Sequence, residues 1–521
     1  MTLPPASAGC LKSNMNHQPV FARRRFLKSF GAASVALGFP ASLGSQATAH
    51  RPNILLCISD DQSWKHAGAY GSKMVKTPAF DRIAREGVLF QRNFTSNPTC
   101  SPSRSSLLTG QAFYRLEEGA QNWGTLPLKN KVYPDILEAA GYDVGFTGKP
   151  NGPIDWRVSG WKRSPGGPAY NSKRLTPPYP EVSANDYSGN FREFLASRKP
   201  ARPFAFWFGA FEPHREYTAG CGLKSGKKLS DAELPPWLPD NDDVRSDMLD
   251  YAYEIEWFDS HIGKMIKMLE EAGELDNTLI LVTADNGMPF PRSKGQLYDS
   301  GTRLPLAVRW GNRVRGGRVV DDFVSFPDFA PTILAAAGLE KPPEMSGRSF
   351  LNVLLSDQPG QVDPTRDHAI TGRERYYPEL LPFPCRALRN DKYLYIRNYR
   401  TDRCIAGNPP DYRDSDGGIA RKYLMGGRGQ GVGRYQWEMA FGMRPAEELY
   451  DLAKDPDQMH NVATDKQYAE ILELLGKQLE RELVQTGDPR AMGRGDVFDS
   501  YPFRAWDGEN HRGLRVPPDP R

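Results

Sequence analysis

Four groups of polar residues each follow a short apolar run in this chain. Asp60 and Asp61 follow 54–58, Lys149 follows 142–146, Glu212 and His214 follow 204–208, and Asp285 and Asn286 follow 278–282. Runs of that length and composition read as strands, and ligands of open α/β sheets bind beyond the carboxyl ends of strands. Asp and Asn are also ordinary turn formers, so one such group alone means little, but four converging strand ends predict a site. Asp60, Asp61, Asp285 and Asn286 would supply four oxygen donors, three of them carboxylates. Carboxylates brought together repel unless a cation sits among them, and oxygen donors suit Ca²⁺ or Mg²⁺ rather than Zn²⁺. No two of the eight histidines have metal-ligand spacing, and the six cysteines form no C-x-x-C. A divalent ion held there would polarise an anionic substrate and stabilise a nucleophile.

A second concentration of chemistry is the stretch from Thr99 to Gly110, with Cys100, Pro102 and Arg104. Pro102 suits the first turn of a helix. Cys100 then sits at the helix N-terminus, where free N–H groups and the dipole favour an anion, with Arg104 one turn on along the same face. Two readings stay open on spacing alone: a small buried hydrophobe or an activated thiolate nucleophile.

The elements that must position these residues alternate between strand and helix from Pro52 to about Leu339, which predicts an α/β core around a mostly parallel sheet. Helices are expected over 77–86, 133–140 and 247–272, and strands over 54–58, 88–90, 142–146, 204–208, 278–282 and 304–308. After about Leu355 the pattern changes. An antiparallel pair is expected across Asn390-Asp391, a glycine-rich polar stretch over 405–436, a last strand at 448–452 and an amphipathic helix over 467–483. The division expected is a leader over 1–49, a catalytic α/β domain over 50–355, a C-terminal α+β subdomain over 356–484 and an irregular tail over 485–521.

Cys100-x-Pro102-x-Arg104 followed by Leu108-Thr109-Gly110 resembles the signature of the type I sulfatases. Asp60-Asp61 after Pro52-Asn53-Ile54, Thr147-Gly148-Lys149, Thr283-Ala284-Asp285-Asn286-Gly287, Asp328-Phe329-Ala330-Pro331-Thr332 and Glu448-Leu449-Tyr450-Asp451-Leu452 are similar to further motifs of that family. The resemblance spans about 51–465. The stretches 100–110, 285–298 and Phe211-Glu212-Pro213-His214-Arg215 are similar to its heparan N-sulfatase (sulfamidase) branch. The resemblance implies an alkaline-phosphatase-like core, oxidation of Cys100 to Cα-formylglycine by a formylglycine-generating enzyme, and one Ca²⁺ held by Asp60, Asp61, Asp285, Asn286 and residue 100. It implies a gem-diol at position 100 that attacks sulfur with help from Arg104, Lys149 and Lys294 on the sulfate oxygens, and His214 as the acid for the leaving oxygen or nitrogen. The substrate implied is a sulfated carbohydrate. Two positions depart from the pattern: Asn151 stands where many members have a histidine, and Lys294 stands where sulfamidases have an arginine. The rival expectations are a phosphate or phosphonate ester hydrolase on the same scaffold and a carbohydrate-binding relic whose Cys100 is never oxidised.

The net charge of +4 comes from 67 Lys+Arg against 63 Asp+Glu. Residues 1–49 hold five basic residues and no acidic one, so the remainder carries 62 against 63, a charge of −1. A near-neutral body gives no electrostatic argument for nucleic acid. Arg23-Arg24-Arg25-Phe26-Leu27-Lys28, a Gly/Ala-rich apolar stretch and Ala47-Thr48-Ala49 read as a secretory signal of the twin-arginine type, cleaved near Ala49, with a periplasmic or secreted destination. No run is apolar enough for a stable membrane span. The glycines of 426–433 lack the phosphate-loop pattern and read as a loop that could border a groove. Trp64, Trp123 and Trp156 read as core before sugar platforms, Asp259 as a hydrogen-bonded structural residue, and His66 and His261 as non-catalytic. Cys385 with Cys404 is the candidate disulfide.

Overall fold

The computed structural model describes residues 51–152, 156–377, 381–427 and 433–501. The leader expected over 1–49, most of the glycine loop and the end of the expected tail lie outside them.

The larger sheet contains β1 (Asn53–Ser59), β2 (Val88–Phe94), β3 (Asp143–Gly148), β4 (Phe204–Gly209), β5 (Thr278–Ala284), β6 (Arg303–Leu304), β7 (Leu306–Arg309) and β8 (Arg318–Ser325). Its order is β3-β4-β1-β5-β7-β2-β6, with β8 also on β2. Four of the seven pairings are parallel: β1 with β4, β1 with β5, β3 with β4, and β2 with β8. The other three are antiparallel and involve β6 and β7, so the sheet is mixed. The single strand expected over 304–308 is two short ones, because Pro305 has no N–H to give to a ladder.

β1 is buried along its whole length, as a strand covered on both faces must be. The period of two divides its side chains. Ile54, Leu56 and Ile58 join one core cluster, with Leu279 and Leu281 of β5 and the helix Phe329–Ala336. Leu55 and Cys57 join the other, with Ile280, Val282 and the long helix Asp242–Glu271. That helix begins five residues before the expected start at 247. Asn241 caps it by accepting from the Val244 N–H (3.0 Å), and Asp242 and Asp243 fill its first turn.

The second sheet is antiparallel, in the order β12 (Glu447–Asp451), β11 (Tyr393–Asn398), β10 (Cys385–Asn390), β9 (His368–Arg373). The expected hairpin across Asn390-Asp391 is present. The helix Ala469–Gln485 packs Leu475, Leu479 and Leu483 on this sheet against Leu388, Tyr395 and Leu449.

Two local features add to the expectations and one corrects them. The stretch 405–436 carries two helices, Ile419–Gly427 and Arg434–Phe441, which meet through Leu424, Ala440 and Phe441. Within the irregular tail expected over 485–521, Asp488 is buried and Val497–Ser500 forms one helical turn. Cys385 and Cys404 are not joined: Cys385 is buried in β10, and Cys404 packs its sulfur 3.5 Å from Met443 Sδ.

Candidate functional site

The order β3-β4-β1-β5 lines up four carboxyl ends, so Lys149, His214, Asp60-Asp61 and Asp285-Asn286 arrive side by side. Backbone bonds fix their heights: the Asp60 N–H donates to the Glu212 carbonyl (2.9 Å), the Asp285 N–H to the Ser59 carbonyl (3.1 Å), and the Lys149 N–H to the Gly209 carbonyl (2.8 Å). Asp61 takes a positive φ of 74° just past β1, which turns its carboxylate inward.

Cys100 opens a helix, Cys100–Thr109, whose residues are all buried. Gly110 ends it at φ +64°, where a side chain would also meet Met345 Sδ at 2.9 Å. Cys100 Sγ lies 3.3 Å from Asp60 Oδ1 and 3.9 Å from Asp61 Oδ1. Burial and the Asp60 charge push the thiol well above its ordinary value, which is the opposite of an activated thiolate. Arg104, one turn on, donates from Nε to Asp285 Oδ2 (2.7 Å) and from Nη1 to the Lys149 carbonyl (2.5 Å). Its Nη2 is buried with no hydrogen-bond partner.

Each of the three buried aspartates has its own cation. Lys149 Nζ pairs with Asp60, Arg104 with Asp285, and Lys294 Nζ with Asp61 at 2.7 Å. Burial would raise the Asp60 carboxyl, but Lys149, His214, Arg104 and Lys294 together hold it well below the usual range. Asp61 is pushed up to about 6 by burial, which Lys294 and His214 offset only in part. Burial also raises Asp285 against the pull of Arg104.

Asp60, Asp61, Asp285 and Cys100 each present a ligand atom, all within 4.8 Å of one another. Asn286 donates its amide N–H to Asp61 Oδ1 (2.7 Å), and its Oδ1 is buried without a partner. Three hard oxygen donors and an unused amide oxygen fit a Ca²⁺-like cation.

His214 donates from Nδ1 to the Arg215 carbonyl (2.6 Å), which turns Nε2 inward, 3.8 Å from Asp61 Oδ2. Glu212 is structural: its oxygens accept from the Ser183 N–H and the Tyr187 hydroxyl. Asn151 is buried, with neither amide atom hydrogen-bonded. Asp259 accepts from the Ala79 and Phe80 N–H groups at the start of the helix Pro78–Glu86. His66 bonds the Tyr251 hydroxyl and His261 the Ser188 hydroxyl. Trp64 lies under the Arg303 guanidinium, Trp156 packs on the core, and Trp123 stacks on Tyr377.

Sequence reasoning missed Asp416 and Tyr376. Asp416 Oδ2 accepts from Lys294 Nζ at 2.9 Å, and its Oδ1 accepts from the Tyr376 hydroxyl at 3.2 Å. Asp61, His214 and Asp416 also form a cluster of potential metal ligands, but Lys294 Nζ already bridges its two carboxylates.

The Sulfatase family model matches residues 52–339, and a model described as N-sulphoglucosamine sulphohydrolase, C-terminal, matches 292–405. An ulvan-active sulfatase of Formosa agariphila is 27% identical over 88% of this chain and 78% of its own length. The human N-sulphoglucosamine sulphohydrolase is 28% identical over 84% of this chain and 91% of its own. A structure solved with its substrate D-glucosamine-2-N,6-O-disulfate superposes with a TM-score of 0.63 at 20% identity, covering 84% of this chain and 98% of that one. The phosphonate monoester hydrolase of Agrobacterium radiobacter gives 0.63 at 19%, covering 84% and 96%. At such identities these two structures speak for the shared fold.

Proposed function

Because this chain belongs to the sulfatase family, we propose that it removes sulfate from a sulfated carbohydrate, as an ester or a sulfamate, at the centre around residue 100. The observation that carries this reading is Cys100 at a helix N-terminus, 3.3 Å from Asp60 and surrounded by Arg104, Lys149 and Lys294. Oxidised to Cα-formylglycine and hydrated, residue 100 supplies a diol nucleophile with a second hydroxyl for release of sulfate. Asp60, Asp61, Asp285 and Asn286 would hold Ca²⁺, which lowers the cost of a negative charge on that nucleophile.

The protein's own groups divide the remaining work. Arg104 is pinned by Asp285 and the Lys149 carbonyl, so it cannot swing away, and its unused Nη2 is a ready donor. Lys149 and Lys294 offer ammonium groups to the sulfate oxygens, where charge shifts during transfer. Burial would lower both lysines, but Asp60 for one and Asp416 with Asp61 for the other keep them charged. His214, held by the Arg215 carbonyl and partly open to solvent, gives a proton from Nε2 to the leaving oxygen or nitrogen. Asn151 can hydrogen-bond the nucleophile but cannot take its proton.

Cys100 is only 3% exposed, so a modifying enzyme must reach it before the chain folds. That ordering agrees with twin-arginine export of folded protein to the periplasm or beyond. Among the described residues no helix is long and apolar enough to cross a membrane. The match over 292–405 favours an N-sulfated glucosamine. Matured protein assayed side by side on N-sulfated and O-sulfated glucosamine should release sulfate from the N-sulfated sugar faster. Release from O-esters alone would end the sulfamidase reading.

A further inference from the structure

One carboxylate of the centre has no lysine or arginine of its own. Asp60 is matched by Lys149, Asp285 by Arg104 and Asp61 by Lys294. Asp416 is a fourth carboxylate, and the cation it uses, Lys294, is already matched. The other cations that face it are engaged elsewhere: Arg215 is held by both oxygens of Asp247 (2.7 and 2.8 Å), Arg421 donates to the Asp411 and Tyr412 carbonyls, and His214, when protonated, lies with Nε2 3.8 Å from Asp61. Asp416 is also the most open of the four, its side chain 9% exposed against 0–2% for the others.

Its position is fixed from both sides. Arg373 is buried, pairs with Asp414 and donates to the Gly295 carbonyl (2.7 Å), next to Lys294. Gly418 has φ +122°, and a side chain there would run into the Arg215 guanidinium at 2.5 Å. Two residues either side of Asp416, the backbone is thus tied to the walls of the pocket.

Given the sulfatase reading above, on which this rests, we propose that Asp416 selects for the charge of the bound anion. Hydrolysis of R–OSO₃⁻ breaks the S–O bond, takes one water and yields ROH, SO₄²⁻ and a proton. The anion beside Lys294 therefore goes from one negative charge to two. A fixed carboxylate repels a dianion about twice as strongly as a monoanion at the same distance, so Asp416 tolerates the ester or sulfamate better than the product. Cations in the pocket favour the dianion, and Asp416 offsets part of that preference, so removing its charge changes the ratio by the carboxylate's own share.

The test is calorimetric binding of inorganic sulfate and of methyl sulfate, its singly charged counterpart, to the matured full chain. Asp416→Asn should tighten sulfate about tenfold relative to methyl sulfate. Asp416→Ser, which also removes the charge, should shift the ratio the same way. Tyr376→Phe, which removes a hydrogen bond and keeps the charge, should leave it unmoved. In turnover, Asp416→Asn should lower the inhibition constant of sulfate more than the KM. A sulfate to methyl sulfate ratio unchanged in both charge-removing variants would overturn the proposal. The binding ratio needs no turnover, so a parent protein inactive on every sulfated saccharide would sink the functional reading while the ratio still decided the role of Asp416.

Discussion

Two buried ionic clusters in this molecule are both built on arginine–aspartate pairs and are finished differently. The one in the C-terminal half is closed. Arg386 gives Nε to Asp488 (2.6 Å), Nη2 to Glu374 (2.6 Å), and Nη1 to the Arg373 and Cys385 carbonyls. Arg490 covers the other side of Glu374, and the Phe113 ring packs on the Arg386 guanidinium. The cluster around residue 100 is left open. Arg104 Nη2, Asn286 Oδ1 and both amide atoms of Asn151 are buried without partners, and three carboxylates meet at one point. Unpaired buried polar atoms are costly, and here several of them surround three converging carboxylates, where a bound group could partner them. The closed cluster locks the 485–501 segment to β10, and the open one is arranged for a cation and an anion.

That contrast can be broken by substitution. The largest effect should come from Cys100→Ala: sulfate release falls at least about 10⁴-fold, while the thermal midpoint stays within a few degrees. A variant that kept a tenth of the activity would remove residue 100 from the chemistry. Next, Arg386→Met should cost about 3–5 kcal/mol in denaturant unfolding, because Glu374 and Asp488 lose their shared partner. Turnover per folded molecule should hold, and a selective loss of turnover would blur the division between the clusters.

Metal titration sharpens the comparison further. Ca²⁺ at a hundred times its dissociation constant should stabilise the parent by about 2.7 kcal/mol. Arg386→Met should keep that gain and Asp285→Asn should lose most of it, read by thermal unfolding with and without chelator. An equal gain in both variants would move the ion elsewhere.

The smallest effect concerns pH. His368 bonds Asp367 and Glu482 (2.7 Å each), tying β9 to the helix Ala469–Gln485. Burial lowers its affinity for a proton, but the two carboxylates outweigh this and raise its pKa above the ordinary 6.5. A group raised in the folded state binds its proton more tightly there. Its stabilisation is therefore complete below pH 6.5 and is lost as pH rises through the folded value. The loss should be on the order of 1 kcal/mol, and His368→Gln should flatten it.

Most residues of the open cluster were legible in the sequence because they are local to an element boundary, the ends of β1, β3, β4 and β5 and the first turn of Cys100–Thr109, whereas Lys294 lies at no such boundary and was named only through the family resemblance. Strand patterning and helix-start chemistry are short-range signals. Asp416 and Lys294 are 122 positions apart, and Asp416 lies in a glycine-rich stretch that carries no period. The closed cluster was illegible for the same reason, since Asp488 and Arg386 are 102 positions apart and Asp488 sits in what reads as a tail. Pattern announces where a chain turns, whereas pairing between distant segments exists only once both sheets have formed.

The most direct test of the open cluster is the mass of the peptide carrying residue 100, taken from protein of measured specific activity. Active protein should carry the aldehyde or its hydrate at that position, in proportion to its activity. A fully active preparation whose residue 100 is entirely thiol would contradict the assignment of the chemistry to this centre.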